Sequence, residues 1–198
     1  MKTKLKVRIG KGAKIDKGAT IGYCPSRIIK DLKLVIGKNS SIRSGTVVYA
    51  GSLIGDGLET GHNVVIREEN TIGNTVRIWS NSVIDFRCLI GNNVKIHCNC
   101  YISQKTKIED DVFLAPGVMI ANEKYPTGQY AEERIVGAVI RRGALIGINA
   151  TILPGVEIGK NSLIGSGSVV TRSVPDNKIA YGNPARVIRS IDKKELGY

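Results

Sequence analysis

An aliphatic residue returns every six positions through most of this chain, at Ile36, Ile42, Val48, Ile54, Ile66, Ile72, Ile78, Ile84, Ile90, Ile96, Ile102, Ile108 and Leu114, with Thr60 the one interruption. Four residues after most of these comes a small or β-branched residue, as at Ser40, Thr46, Ser82, Cys88 and Val94. The residue directly after is often Gly, as in Ile36-Gly37 and Ile72-Gly73. A helix would repeat near 3.6 residues and a half-buried strand near 2. A fixed six-residue period instead specifies a parallel β-helix. Each hexad supplies one short strand and one corner, with the aliphatic residue pointing inward. No single coil buries its apolar side alone, so stability comes from stacking. Gly12, Gly18, Asn39, Gly57, Asn63, Asn81 and Asn93 mark corners where a left-handed backbone is tolerated.

A single repeat pattern running through 198 residues predicts one domain, residues 1–198. Aromatics are only 5% of the chain, which suits a core of stacked Ile and Val. No run of 18 apolar residues is present, so no transmembrane helix is expected. Met1 to Lys6 is basic without the apolar stretch of a signal peptide, and the expected location is the cytoplasm. Cys88 and Cys100 fall on the small inward position and Cys24 and Cys98 near corners, which predicts reduced thiols rather than disulfides or a zinc site. The net charge of +12 reads as spread along the chain, with no nucleic-acid-binding motif and no membrane insertion. Small polyanions are the expected partners.

Two breaks interrupt the period. The interval from Ile21 to Ile36 is not a whole number of hexads, which predicts a bulge over residues 27–35. Nor is the interval from Ile120 to Ile140, which predicts a projecting loop over residues 121–139. Long loops on a repeat scaffold are disproportionately functional. The repeat then resumes at Ile140, Ile146, Ile152, Ile158, Ile164 and Val170 and ends in a short cap over residues 171–198.

The hexad pattern over about residues 9–190 resembles the hexapeptide-repeat acyltransferases. That resemblance implies an all-β, left-handed parallel β-helix built as a homotrimer, with active sites in the grooves between subunits. Gly182-Asn183-Pro184-Ala185-Arg186-Val187-Ile188-Arg189 looks like the carboxyl end of the galactoside, serine and xenobiotic acetyltransferases. It implies coenzyme A as co-substrate, in its acetyl or a similar acyl form, with no metal. By the same resemblance, Ile148 and Ser166 would contact the pantetheine arm. Thr171 and Arg172 would lie near the coenzyme, and Arg189 would meet its phosphates. Met119 to Pro126, with Asn122 and Glu123, resembles the start of the loop in N-acyltransferases that act on nucleotide-linked amino sugars.

The residues themselves bear on the acceptor. A hydroxyl nucleophile must lose its proton during attack, a task that suits His near neutral pH. The loop contains no His, which favours an amine acceptor. The chain has two histidines. Along the axis, His97 lies one coil below the coil that bears the loop and His62 three coils below it, each coil rising by about 4.8 Å. His97 is the better base candidate, and His62 lies closer to where the nucleotide end of an extended donor would sit. Positions 18 apart stack Asn122, Gln104, Phe86 and Glu68 on one corner, beside Asp85 and Arg67. In this reading Phe86 is an outward aromatic that stacks on a base. Arg67 or Arg87 pairs with a pyrophosphate, and Glu68, Asp85 or Glu123 holds an ammonium. Two histidines cannot build the three-His zinc site of the γ-class carbonic anhydrases, which share the prism. The expected function is transfer of an acyl group to the amine of a nucleotide-linked amino sugar. The alternatives are an O-acetyltransferase using His97 or His62, and a non-catalytic scaffold.

Overall fold

The computed structural model describes residues 4–126 and 132–196. It is all-β apart from two short 3-10 turns, Glu132–Arg134 and Lys193–Leu196. The strands form three parallel sheets, which are the three faces of a left-handed β-helix. Successive hexads visit the first, second and third face in turn, so residues pair with their counterparts one coil on. On the third face Ile66 pairs with Ile84, Ile84 with Ile102 and Ile102 with Ile120. Below, the first corner joins the first face to the second, the second corner joins the second to the third, and the third corner joins the third to the first.

The inward aliphatic of each hexad is sealed. Ile36, Ile42, Val48, Ile84, Ile96 and Ile120 are all buried, and one continuous apolar stack runs up the axis. Each such side chain contributes about 1.5–3 kcal/mol by leaving water. The corners explain the Asn and Gly of the sequence. Asn63, Asn81, Asn93 and Asn149 all adopt positive φ, between 54 and 60°. Asn tolerates this conformation because its short side chain bonds locally. On the first corner a second device operates. The backbone N–H groups of Lys38, Asp56, Asn74 and Asn92 donate to the side-chain Oδ1 of Asp56, Asn74, Asn92 and Asp110 one coil above, at 2.7–2.9 Å. The Asn and Asp side chains thus continue the ladder where the backbone turns out of strand register.

The segment expected to bulge divides in two. Residues 24–32 lie outside the strands, whereas Lys33–Ile36 is a strand paired with Lys6–Ile9. The excursion therefore ends earlier than residue 35. Ile29 anchors it against the prism, buried beside Gly51. The projecting loop leaves after Ile120, passes through a bridge between Glu123 and Ile135, and rejoins the first face at Val139–Ile140. Its residues 127–131 lie outside the described residues.

The two ends of the prism differ. At the carboxyl end, Lys178–Gly182 continues the second face and pairs antiparallel with Ala185–Ser190. This hairpin covers the last coil, and Ile158, Ile164 and Val170 stay buried beneath it. At the amino end Ile9 and Ile15 occupy the same inward positions but remain exposed. The expected cap over residues 171–198 thus contains this hairpin, while residues 197 and 198 lie outside the described residues.

Candidate active site

The third corner carries most of the residues expected to bind substrate. Arg67-Glu68-Glu69, Asp85-Phe86-Arg87, Ser103-Gln104-Lys105 and Ala121-Asn122-Glu123 stack in successive coils, because their preceding strands pair in register. Their chemistry differs from expectation in the lower two coils. Glu68 is 0% exposed and is held by Arg27 from the excursion, whose Nε donates to Oε1 at 2.5 Å. Arg67 donates to the same oxygen at 3.1 Å and to Asp85 Oδ1 at 3.2 Å. Tyr101 donates its hydroxyl to the other Asp85 oxygen at 2.8 Å. Burial and this bond to a carboxylate push the Tyr101 phenol up from its ordinary range.

Phe86 is likewise not an outward aromatic. It is 7% exposed, with the Arg27 guanidinium over its ring at 4.0 Å. The cation covers the face that was expected to receive a base. Glu68 has no surface with which to hold an ammonium, and Arg67 and Arg87 are engaged by carboxylates rather than open to a pyrophosphate. The cause is Arg27, which belongs to the excursion and lies off the repeat grid.

The ion pairs run on up the corner into the loop. Glu69 takes hydrogen bonds from Arg27 and from Arg87 Nε, the latter at 2.8 Å. Arg87 also pairs with Glu132, whose backbone carbonyl accepts from Lys105 Nζ at 2.9 Å. The excursion and the loop are therefore tied by one chain of alternating charges. Burial pulls Glu69 upward, but the bonds from Arg27 and Arg87 outweigh it and hold the carboxyl below its ordinary value of 4.5. A group depressed in the folded state contributes stability above its unfolded value and loses it as pH falls through the folded one. Hydrogen exchange of residues 132–136 should therefore accelerate as pH drops below about 4.5, beyond its intrinsic pH dependence. Glu69→Gln should show the faster, corrected rate already at neutral pH. Equal corrected rates for both proteins at neutral pH would contradict the tether.

Higher on the corner the picture changes. Gln104 is 7% exposed, and its Oε1 is buried without a hydrogen-bond partner among the described residues. Glu123, at the start of the loop, has Oε1 in the same condition. Asn122 stacks directly above Gln104, and its backbone carbonyl accepts from Val136 across the loop at 2.8 Å. A buried acceptor left unpaired costs about 1–3 kcal/mol, so each of these oxygens calls for a donor.

The second corner holds both histidines. His97 stacks on Trp79, with ring centroids 4.3 Å apart, and meets Phe113 at a tilt, 5.0 Å away. Trp79 occupies the matching position one coil below His97. Ring packing fixes the imidazole, with no hydrogen bond to either nitrogen among the described residues. His62 lies two coils lower, exposed, with Nδ1 2.9 Å from Ser44 Oγ. Above His97 a groove of about 290 Å³ runs between the coils. Phe113, Ala115, Leu145, Ile148, Leu163 and Ser166 line it. Its walls are apolar side chains and the backbone of Gly147 and Gly165, a lining that suits a narrow, mostly aliphatic arm with amide groups.

The structure thus gathers His97, Ile148 and Ser166 on the second corner, and Asn122, Glu123 and Gln104 on the third. Six residues of extended chain separate one corner from the next, at most about 20 Å. Thr171 and Arg172 are exposed on the third corner, not beside Ile148 and Ser166. Arg189 is exposed and engaged by a carboxylate. It makes two bonds to Glu195, at 2.7 and 2.6 Å, and these hold the Glu195 carboxyl down at about 2. Cys88 and Cys100 are buried, and burial pushes their thiols up to about 12 and about 11, as befits packing residues.

Residues 87–122 and 137–172 match the family described as Bacterial transferase hexapeptide (six repeats). Over these two stretches the chain is similar to that family. It is 39% identical over 97 residues to the galactoside O-acetyltransferase of Escherichia coli, which covers 46% of this chain and 47% of that protein. It is 51% identical over 49 residues to the dTDP-3-amino-3,6-dideoxy-alpha-D-galactopyranose 3-N-acetyltransferase of Aneurinibacillus thermoaerophilus, covering 25% of this chain and 26% of that one. The chain spans about half or less of the length of the curated relatives it matches. Among solved structures, the polySia-specific acetyltransferase NeuO superposes with a TM-score of 0.56 at 19% identity, covering 93% of this chain and 80% of that one. That likeness is one of fold alone.

Proposed function

We propose that the protein is an acyl-CoA-dependent N-acyltransferase that acetylates the amine of a nucleotide-linked amino sugar. The observation that carries this reading is the pair of buried, unpartnered oxygens at Gln104 and Glu123. An amine offers more N–H donors than a hydroxyl offers O–H, and one carboxylate among the acceptors suits a nitrogen that arrives as ammonium. No histidine stands on that corner. Coenzyme A supplies an acyl thioester, and the groove above His97 is where its pantetheine arm fits this chain. Glu123 takes one proton from the ammonium, and the neutral amine attacks the thioester carbonyl; a C–N bond forms, the C–S bond breaks, and a second proton leaves with the departing sulfur. Gln104 and Glu123 orient the nitrogen, and orientation supplies most of the rate. Backbone amides at the corners stabilise the tetrahedral oxyanion.

Groove and orphaned acceptors sit on different corners of one prism, so the site is incomplete in a single chain. A homotrimer, in which the second corner of one subunit faces the third corner of its neighbour, would join them. The nucleotide would then lie along the groove between subunits. Arg172 is the third-corner cation that would meet its phosphates, since it has no ion pair among the described residues.

A second reading has its own support. Ala115 lies one coil above His97 and lines the groove, so a thioester placed there would be beside the imidazole. An O-acetyltransferase would use His97 as base. His97→Asn separates the two. The N-acyl reading expects kcat/KM within about tenfold of wild type, because ring packing is perturbed but no proton transfer is lost. A drop of about 1000-fold would favour the hydroxyl acceptor and sink the amine.

A further inference from the structure

We infer that the open amino-terminal end of the prism docks on an anionic lipid bilayer. The core stack does not finish there. Ile9 and Ile15 hold inward positions and yet are 44% and 37% exposed, and Val7 and Leu5 beside them are 42% and 39% exposed. One coil above, Ile36, Ile42 and Val48 are at most 1% exposed. The carboxyl end has its hairpin cap, whereas at the amino end these apolar side chains are exposed among the described residues. A cluster of exposed apolar side chains rimmed by polar residues marks an interaction surface.

The charge around this end says what covers it. Lys4, Lys6, Arg8, Lys11, Lys14 and Lys17 surround the apolar patch, and all six are exposed. Between residues 4 and 23 the only carboxylate is Asp16, and it is taken by Arg43 at 3.6 Å. None of the six cations has a carboxylate within ion-pair distance among the described residues. A second copy stacked end to end would bring two such rings together and be repelled. A nucleic acid would satisfy the cations but leave the apolar centre against water. An anionic bilayer satisfies both, with lipid headgroups on the Lys and Arg and the Ile and Val side chains at the acyl boundary.

The geometry gives this contact a consequence. The prism axis would stand on the bilayer. From Ile9 through Ile36, Ile54, Ile72 and Ile90 to Ile108 the chain climbs coil by coil along the first face. Each of those steps lifts it by about 4.8 Å. The loop-bearing coil would be held at the top of that climb, clear of the headgroups.

Flotation of the full chain with vesicles tests this. Vesicles of equal parts phosphatidylcholine and phosphatidylglycerol should carry the protein at low salt, and phosphatidylcholine alone should not. Each cation near such a surface is worth about fivefold in partitioning. The combined Lys11→Glu, Lys14→Glu and Lys17→Glu variant should therefore bind at least about 100-fold more weakly. Ile9→Ser with Ile15→Ser should weaken binding while leaving the thermal midpoint within a few degrees, since these side chains are already exposed. Equal partitioning to both vesicle types would overturn the proposal. So would absent vesicle binding together with a doubled assembly mass that the Ser variant restores, which would make this end a contact between copies. Binding to an oligonucleotide with silence on vesicles would overturn it as well.

Discussion

Gln104→Leu should lower kcat/KM for acetyl transfer roughly 10- to 100-fold while the protein becomes no less stable. Two opposed effects of one buried oxygen underlie this. In the free protein Gln104 Oε1 is buried without a donor, so exchanging the amide for an apolar group of similar volume removes a penalty of about 1–3 kcal/mol. In the proposed complex the same oxygen would receive an N–H from the acceptor amine, and a hydrogen bond to a charged group is worth about 1.5–3 kcal/mol. A site that lowers stability for the sake of activity is a common trade. Urea unfolding and steady-state kinetics on the same preparation decide the matter. A fall in the unfolding midpoint with unchanged kcat/KM would mean that Gln104 is a packing residue.

Ile84→Ala should destabilise the protein by about 3–5 kcal/mol. Ile84 is 0% exposed and lies between Ile66 below and Ile102 above. The backbone ladder fixes the distance between coils, so the stack cannot collapse into the space left behind. The residual cavity is then nearly the full deleted volume, and large cavities lie at the costly end of such series. Ile15→Ala gives the contrast. Ile15 holds the equivalent kind of position in the open first coil, where it is already partly hydrated, and its loss should cost under about 1 kcal/mol. Similar costs at the two sites would show that the amino-terminal coil is covered in solution.

Much of this architecture could be read before any coordinates, and the reason is physical. In a β-helix each coil bonds directly to the next, so one full repeat of separation in sequence is a spatial contact. The stack of Glu68, Phe86, Gln104 and Asn122, and the axial heights of His97 and His62, follow from that arithmetic. The stack of Trp79 on His97 lies on the same grid and was open to the same reasoning. What the grid cannot place is a residue from a break in the period. Arg27 lies in such a break, and it turns Phe86 from a platform into a buried ring and Glu68 from a ligand into an ion-pair partner. The corner that carries a residue matters as much as its height. Counting along the axis puts His97 one coil from the loop, while the chain path puts a whole face between them. Composition also hides position: a net charge of +12 does not say that unpaired cations ring one end. Nor does a Gly-x-Pro-Ala-Arg motif say that Arg189 is held by Glu195.

The central claim is that this prism moves an acyl group onto an amine. The most direct measurement is release of free thiol from acetyl-CoA against a panel of UDP- and dTDP-linked 3-amino and 4-amino sugars, each beside its hydroxyl-only counterpart. Turnover is expected on an amino sugar and none on the matching sugar in which hydroxyl replaces the amine. Turnover on the hydroxyl sugars alone, or no thiol release and no coenzyme A binding at all, would contradict it.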